Sequence, residues 1–377
     1  MSGFGTTPAF TVGLEEELLL VDDETLALVP HAGRILARLD AGEHAGHEAY
    51  AAEIELRTSP STSIAAAVGE LADLRSRARA VGATLLGVGV HPAAEFGDAV
   101  LVDDERYRQV DGKMRGIIRR TPECALHVHV AMPDEETAVA VYNRMRSHMP
   151  LLQALAANSP WWFGTDSGLA SSRGAIVTAY PGRGIPRPFL DARDWRSFVA
   201  RVMEAGDLED ATFLWSDLRI HPRHGTVELR ELDAQSSLED VAALAALARA
   251  LAVEAAERPQ PPPEPSEVLV WASFRAMRDG VDALLLDDGR PVPLRTVLRR
   301  VLEQVRPVAR ALGDEEALDG VRRIVDVGGG AGRRRRAFEQ GGMRRQLEDL
   351  AAETSGAPRG SAAGLRPTTG AGARQSP

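Results

Sequence analysis

Phe213–Asp233 reads FLWSDLRIHPRHGTVELRELD. Two strand-like runs flank the turn PRHG, which is a hairpin signal. A hairpin pairs its strands antiparallel, so this stretch sets the expected fold. Within the second arm, Glu228 and Arg230 stand two positions apart. Side chains at i and i+2 of a strand point to the same face of the sheet.

The same spacing occurs three more times, in VGLEEELLLV (12–21), AAEIELRT (51–58) and CALHVHVAM (124–132). The paired residues are Glu15/Glu17, Glu53/Glu55 and His127/His129. In the second run Ala52, Ile54 and Leu56 alternate with Glu53, Glu55 and Arg57, as a half-buried strand requires. Glu16 breaks the alternation of the first run, since it shares a side with Leu14 and Leu18. In the third run Cys124, Leu126, Val128, Val130 and Met132 form the apolar face, with Cys124 directed to the core.

Each pair alone reads equally as a solvated strand face or a cross-strand salt bridge. Together they predict one sheet face dense in carboxylates and imidazoles, which is costly unless it holds cations and anionic ligands. Carboxylates with few imidazoles suit Mg²⁺ or Mn²⁺ better than zinc. Arginines nearby suit a triphosphate, because the planar guanidinium matches phosphate oxygens bidentately. The candidates are Arg173, Arg219, Arg223 and Arg230. Lysine is nearly absent, so composition contributes to that choice.

The rest of the chain places these strands. A short helix is expected near Ile35–Leu39. Ser61 or Thr62 caps a helix running to about Ala80. TLLGVGVH (84–91) reads as a strand, 103–120 as a helix, and a long helix follows Pro133 to about Ala157. Residues 158–192 read as a functional loop. Helices follow near 194–204 and 238–257, then the proline-rich spacer RPQPPPEPSE (258–267). Helical patterns cover 267–286, 294–312, 315–326 and 338–352. GGGAGRRRR (328–336) reads as a phosphate cradle or a solvated basic turn. Early strands, late helices and hairpins indicate an α+β architecture with an antiparallel sheet and flanking helices. Residues 1–352 are expected to form a single catalytic domain and 353–377 a disordered tail.

Composition narrows the function. The 377 residues are 44% hydrophobic and 26% charged, with a net charge of −10. That balance argues against nucleic-acid binding. The lone cysteine excludes a disulfide framework. The N-terminus lacks a basic segment followed by an apolar run, and no stretch is long enough to span a membrane, so a cytoplasmic protein is expected. The Ala/Leu-rich helices offer surfaces for a homo-oligomer. No GxxxxGK[ST] or GxSxG is present, and GVGVHP carries proline where a dinucleotide fingerprint needs glycine.

Five motifs also resemble a known family. GLEEELLLVD (13–22), EIELRTSP (53–60), CALHVHVAMP (124–133), the loop from GTDSG through SSRG to GIPRPF (164–189) and LRIHPRHGTVELRELDAQ (218–235) follow the order of the glutamate–cysteine ligase type 2 family. The resemblance covers about residues 10–352 and includes LGDEEALDGVRRIV (312–325). Ala125 and Ala131 stand where that family commonly has glycine. The resemblance implies a fold like glutamine synthetase and the guanido kinases. It implies ATP-dependent joining of the glutamate side-chain carboxylate to an amine, nominally L-cysteine, through an acyl phosphate. It implies Glu15, Glu17, Glu53, Glu55, His127 and Glu228 as metal ligands, and His129, Arg223 and Arg230 as nucleotide contacts. Arg173, Arg219 and Arg230 would act on phosphate or substrate. The residues themselves leave two alternatives open: a zinc metallohydrolase built on the HxH strand, or a nucleotide-binding relative without turnover.

Overall fold

The computed structural model describes residues 3–258, 262–287 and 289–356. The first half builds a sheet from β1 (Val12–Val21), β2 (Ala45–His47), β3 (Glu53–Arg57), β4 (Thr84–Leu86) and β5 (Ala125–Ala131). Between these strands lie α1 (Ala32–Leu39), α2 (Ile64–Ala80) and α3 (Glu105–Met114). The long α4 (Glu135–Ala156) follows, then a small hairpin of β6 (Trp161–Trp162) and β7 (Thr165–Asp166), and the helices α5 (Ser172–Val177) and α6 (Ala192–Gly206). The decisive hairpin is β8 (Leu218–His221) and β9 (Thr226–Asp233). After it come α7 (Leu238–Glu257), α8 (Ser266–Asp279), a second small hairpin of β10 (Leu284–Asp287) and β11 (Arg290–Pro293), and then α9 (Leu294–Leu312), α10 (Glu315–Asp326) and α11 (Gly329–Thr354).

The main sheet runs β2-β3-β1-β5-β9-β8, with β4 pairing the last residues of β1, and every pairing is antiparallel. The expected α+β architecture is therefore observed. One face is apolar. Leu14, Leu18, Ile54, Leu56, Leu126, Val128, Val130, Leu218, Val227 and Leu229 enter a single core with residues of α2, α4 and α7. Burial of these side chains, at about 25 cal/mol per Å² of apolar surface, is the main term holding the layers together. Helices α8, α9 and α10 pack on the outside of α4 and α7. The other face of the sheet carries the polar pairs.

Several elements differ from expectation for local physical reasons. Ser63 caps α2, its hydroxyl accepting from the Ala66 amide at 3.3 Å, so the helix starts later than a Ser61 or Thr62 cap would place it. The 84–91 strand stops at Leu86, because the chain then runs against the backbone of Gln235: a Cβ on Gly87 would sit 2.3 Å from that carbonyl oxygen. Helix α3 ends at Met114 and yields to a 3-10 turn over Arg115–Ile117. The 267–286 pattern splits, with its helix ending at Asp279 and Leu284–Asp287 pairing as a strand with Arg290–Pro293. The long loop contains β6, β7 and α5. GGGAGRRRR is neither a cradle nor a turn, since residues 329–336 form the start of α11. Helix α11 reaches Thr354, so the expected tail boundary at 353 is too early; residues 357–377 lie outside those described. The central part of the proline-rich spacer, 259–261, does too.

Candidate active site

The polar pairs do share one face. Cross-strand register sets Glu15 opposite His127, Glu17 opposite Glu55, and His129 opposite Glu228. Glu228 also stands opposite Arg219 on β8. Glu17, Glu53, Glu55, His127, His129 and Glu228 are all buried.

Ligand atoms of Glu15, Glu55 and His127 lie within 4.8 Å of one another, and so do those of Glu15, His129 and Glu228. Glu15 belongs to both groups, so the two candidate cation positions share one carboxylate. The two imidazoles fall in different groups. His127 Nδ1 is 3.1 Å from Glu15, and its Nε2 is 3.6 Å from Glu17. His129 Nδ1 meets the Thr226 hydroxyl at 3.0 Å. Its Nε2 is buried without a hydrogen-bond partner among the described residues, 3.5 Å from Glu15 and 3.7 Å from Glu228. An orphaned buried imidazole nitrogen between two carboxylates fits a divalent cation, and the oxygen-rich donor set fits Mg²⁺ or Mn²⁺. The structure thus gives His129 the surroundings of a metal ligand.

Electrostatics agree. Burial pushes the Glu53 carboxyl well above its usual range, and Glu17 and Glu48 push it further. Burial and the neighbouring Glu15 and Glu48 do the same to Glu55. Glu48 is pushed up to about 7 by burial and by Glu17. These carboxylates repel one another, and a bound cation would relieve that repulsion. Burial also works to raise Glu15 and Glu228, but His129 holds Glu15 well below the usual range, and Arg219 and Arg230 hold Glu228 there.

The arginines divide. Arg219 gives Nε and Nη2 to Glu228 at 2.8 and 3.0 Å, and its Nη1 to the Thr212 carbonyl at 3.0 Å. Its fork is spent on placing Glu228 and closing the 211–214 segment. Arg230 also pairs with Glu228 through Nη1, while its buried Nε has no partner among the described residues. Arg173 on α5 is buried, reaches the Arg230 carbonyl at 3.2 Å, and leaves Nε and Nη1 without hydrogen bonds. Arg223 lies exposed in the β8–β9 turn, next to His224, whose ring is 5.8 Å from that of His129.

A cavity of about 90 Å³ adjoins this face. Glu17, Glu53, His127, Arg173 and Arg230 line it, as do residues that alternation in the strands did not reveal: Glu48, Tyr107, Glu123, Tyr180, Arg183 and Trp215. Most of these come from loops and helices, where spacing carries no face information. Glu231 and Asp233 were missed for a different reason. The β5–β9 register shifts between Leu126/Leu232 and Val128/Leu229. This bulge turns Leu232 into the core and carries Glu231 and Asp233 to Arg173, at 3.8 and 3.9 Å. Cys124 is fully buried among apolar residues, as expected, but in a second, smaller core cluster with Leu19, Leu347 and Leu350 rather than with Leu126 and Val128. Its thiol lies 2.9 Å from Glu53.

The chain thus carries helices on one face of an antiparallel sheet and a carboxylate–imidazole–arginine site on the other, and its sequence places it among carboxylate–amine ligases. Residues 11–353 match the profile of glutamate–cysteine ligase family 2, and the chain belongs to that family. A Rubrobacter xylanophilus protein, provisionally named glutamate–cysteine ligase 2-1, is 38% identical over 343 residues, 88% of this chain and 91% of its own. A Halobacterium salinarum glutamate–cysteine ligase is 34% identical over 365 residues, covering 90% of this chain and 96% of its own. Among solved structures, glutamate–cysteine ligase from Francisella tularensis in complex with AMP superposes with a TM-score of 0.69 at 14% identity, over 94% of this chain and 90% of its own. A bifunctional glutathione synthetase from Pasteurella multocida gives 0.65 at 16% identity, over 92% of this chain and 51% of its own. Among the described residues no helix is long and apolar enough to cross a membrane.

Proposed function

We propose that the chain uses ATP to join the side-chain carboxylate of L-glutamate to an amine, nominally L-cysteine, through an acyl phosphate. The observation that carries this reading is the pair of three-residue ligand groups sharing Glu15, set beside an arginine-lined cavity. The reaction must bring a carboxylate to a triphosphate, and both are anionic. Divalent cations, when bound, would supply the charge that screens this repulsion.

The chain's own residues do the rest. Glu15, Glu55 and His127 would hold one cation, and Glu15, His129 and Glu228 the other; Glu17 and Glu53 border the cavity beside them. Arg219 fixes Glu228 in place. Arg230 and Arg173 present unspent N–H groups to the cavity, where charge develops on the transferred phosphoryl group. Arg223, exposed in the turn beside His224, would contact the nucleotide. The amine then attacks the acyl phosphate, forming the amide and releasing phosphate.

The zinc-hydrolase reading finds less support, because His127 and His129 belong to different ligand groups. Purified protein with ATP, Mg²⁺, glutamate and pooled amines tests the proposal. ADP release that requires both glutamate and an amine supports it. ATP turnover indifferent to amines contradicts it, and nucleotide binding without any ADP would indicate a silent relative.

A further inference from the structure

The cavity beside the polar face is lined by four arginines, and three of them each make at least one side-chain hydrogen bond to the protein. Arg106 donates to the Thr212 hydroxyl at 3.1 Å and covers the Phe213 ring at 4.7 Å. Arg173 is tied to the Arg230 carbonyl, and Arg230 to Glu228. Arg183 makes no side-chain hydrogen bond among the described residues, and its Nε and Nη1 are buried and unpartnered. Its nearest acid, Glu231, is 3.5 Å away and is shared with Arg173 at 3.8 Å. A guanidinium with five donors and one long, shared ion pair has a fork free for another carboxylate.

Its mounting is also unusual. Arg183 stands between Gly182 and Gly184, whose φ angles are +76° and +94°. Those angles suit glycine and disfavour other residues. The Gly184 amide is held by the Asp217 carboxylate at 2.9 Å, and the Asp217 amide returns to the Gly184 carbonyl at 3.2 Å. The loop is thus pinned to the start of β8 while its arginine reaches into the cavity. Glu48, Glu53 and Glu123 line the same cavity. Cationic and acidic groups around one small space suit a zwitterion, with carboxylate and ammonium on one carbon.

We propose that Arg183 is a specificity-determining residue that binds the α-carboxylate of the acid substrate, so the site selects an α-amino acid and rejects the same chain without that carboxylate. The inference rests on the ligase reading of the site. The acid's reacting carboxylate meets Arg230 and the metal-bearing strands, and its other carboxylate meets Arg183.

The test is calorimetric titration of the full-length protein, with Mg²⁺ and a non-hydrolysable ATP analogue, using glutamate and 4-aminobutyrate as probes. Wild-type protein is expected to prefer glutamate. Arg183→Gln is expected to reduce that preference about 10- to 100-fold, as the loss of a charged hydrogen-bonded pair does, and Arg183→Lys is expected to fall between. Circular dichroism and thermal melting confirm that each variant is folded. Equal weakening of both probes, unchanged glutamate binding in Arg183→Gln, or no glutamate binding by the wild type would overturn the inference. A separate assay of ADP release by the wild type with glutamate and amines keeps the two ideas apart. Release there with an unchanged preference in Arg183→Gln sinks only the role of Arg183. No release, with the binding preference shifted as expected, sinks only the ligase reading.

Discussion

Glu16 and Arg75 form a bidentate ion pair inside the apolar layer, at 2.6 and 2.9 Å, with both side chains almost fully buried. Glu16 sits on β1 between the metal-face residues Glu15 and Glu17, but points the other way, toward α2. Arg75 also donates to the carbonyls of Gln235, Ser236 and Thr354, so it ties β1 to the end of β9 and to α11. The acid that broke the alternation of the first strand thus anchors that strand from behind.

Arg75→Met should therefore be costly, because it strands a buried carboxylate and three carbonyls. A loss of about 3–5 kcal/mol is expected in urea denaturation. Pairing it with Glu16→Leu should recover a substantial part of that loss. A single variant as stable as the wild type would contradict this role.

Glu15 is shared by both ligand groups and Glu55 belongs to one. Glu15→Gln is expected to lower activity by about 10²-fold or more, since even outer partners of metal ligands cost 10- to 100-fold. Glu55→Gln should raise the Mg²⁺ concentration needed for half-maximal activity and leave more turnover at saturating metal. Metal titrations of both variants measure this. Equal effects would contradict the shared-ligand arrangement.

Arg219 and Arg230 contact the same Glu228 but should behave differently. Arg219 is spent on protein groups, so Arg219→Lys should lower both the melting temperature and kcat. Arg230→Lys keeps the charge and loses the planar fork facing the cavity. Its effect should fall on kcat, with the melting temperature nearly unchanged. A reversed pattern would reassign the two arginines.

The contribution of the raised acids to stability without metal should depend on pH in a defined direction. The folded-state pKa of Glu48 is about 7, above its ordinary value of 4.5, and Glu53 and Glu55 are raised as well. Between those pH values the unfolded chain has released protons that these carboxyls retain in the fold, so their contribution to stability falls as pH rises from about 4.5 to 7. His148 and His221, which burial lowers to about 4 and about 3, contribute the opposite trend. Glu48→Gln should flatten this slope, and Mg²⁺ should offset it. Thermal melts across that range, with and without Mg²⁺, read the effect. The same slope in metal-free wild type and Glu48→Gln would contradict the repulsion described above.

The sequence disclosed the parts of the site that obey strand periodicity. Glu15, Glu17, Glu53, Glu55, His127, His129 and Glu228 were all legible, because two-residue spacing fixes a face. The antiparallel fold was legible from the hairpin around PRHG. Glu231 and Asp233 were hidden by a bulge that spacing does not signal. Glu48, Glu123, Tyr180 and Arg183 were hidden because loops and helices bring them to the cavity from distant parts of the chain. The basic run at 333–336 misled for a related reason. Helix α11 breaks at Gly341 and Gly342 into two helical segments. Arg333 meets Asp240 of α7 at 2.5 Å and Arg334 pairs with Glu353 of the second segment, so these two arginines clamp helices together.

The most direct test of the account is the stoichiometry of product to ADP, measured by mass spectrometry on purified protein with ATP, Mg²⁺, glutamate and pooled amines. The account predicts one γ-glutamyl amide for each ADP released, and neither when glutamate or Mg²⁺ is omitted. ADP released without any amide, or an amide formed without ATP, would contradict it.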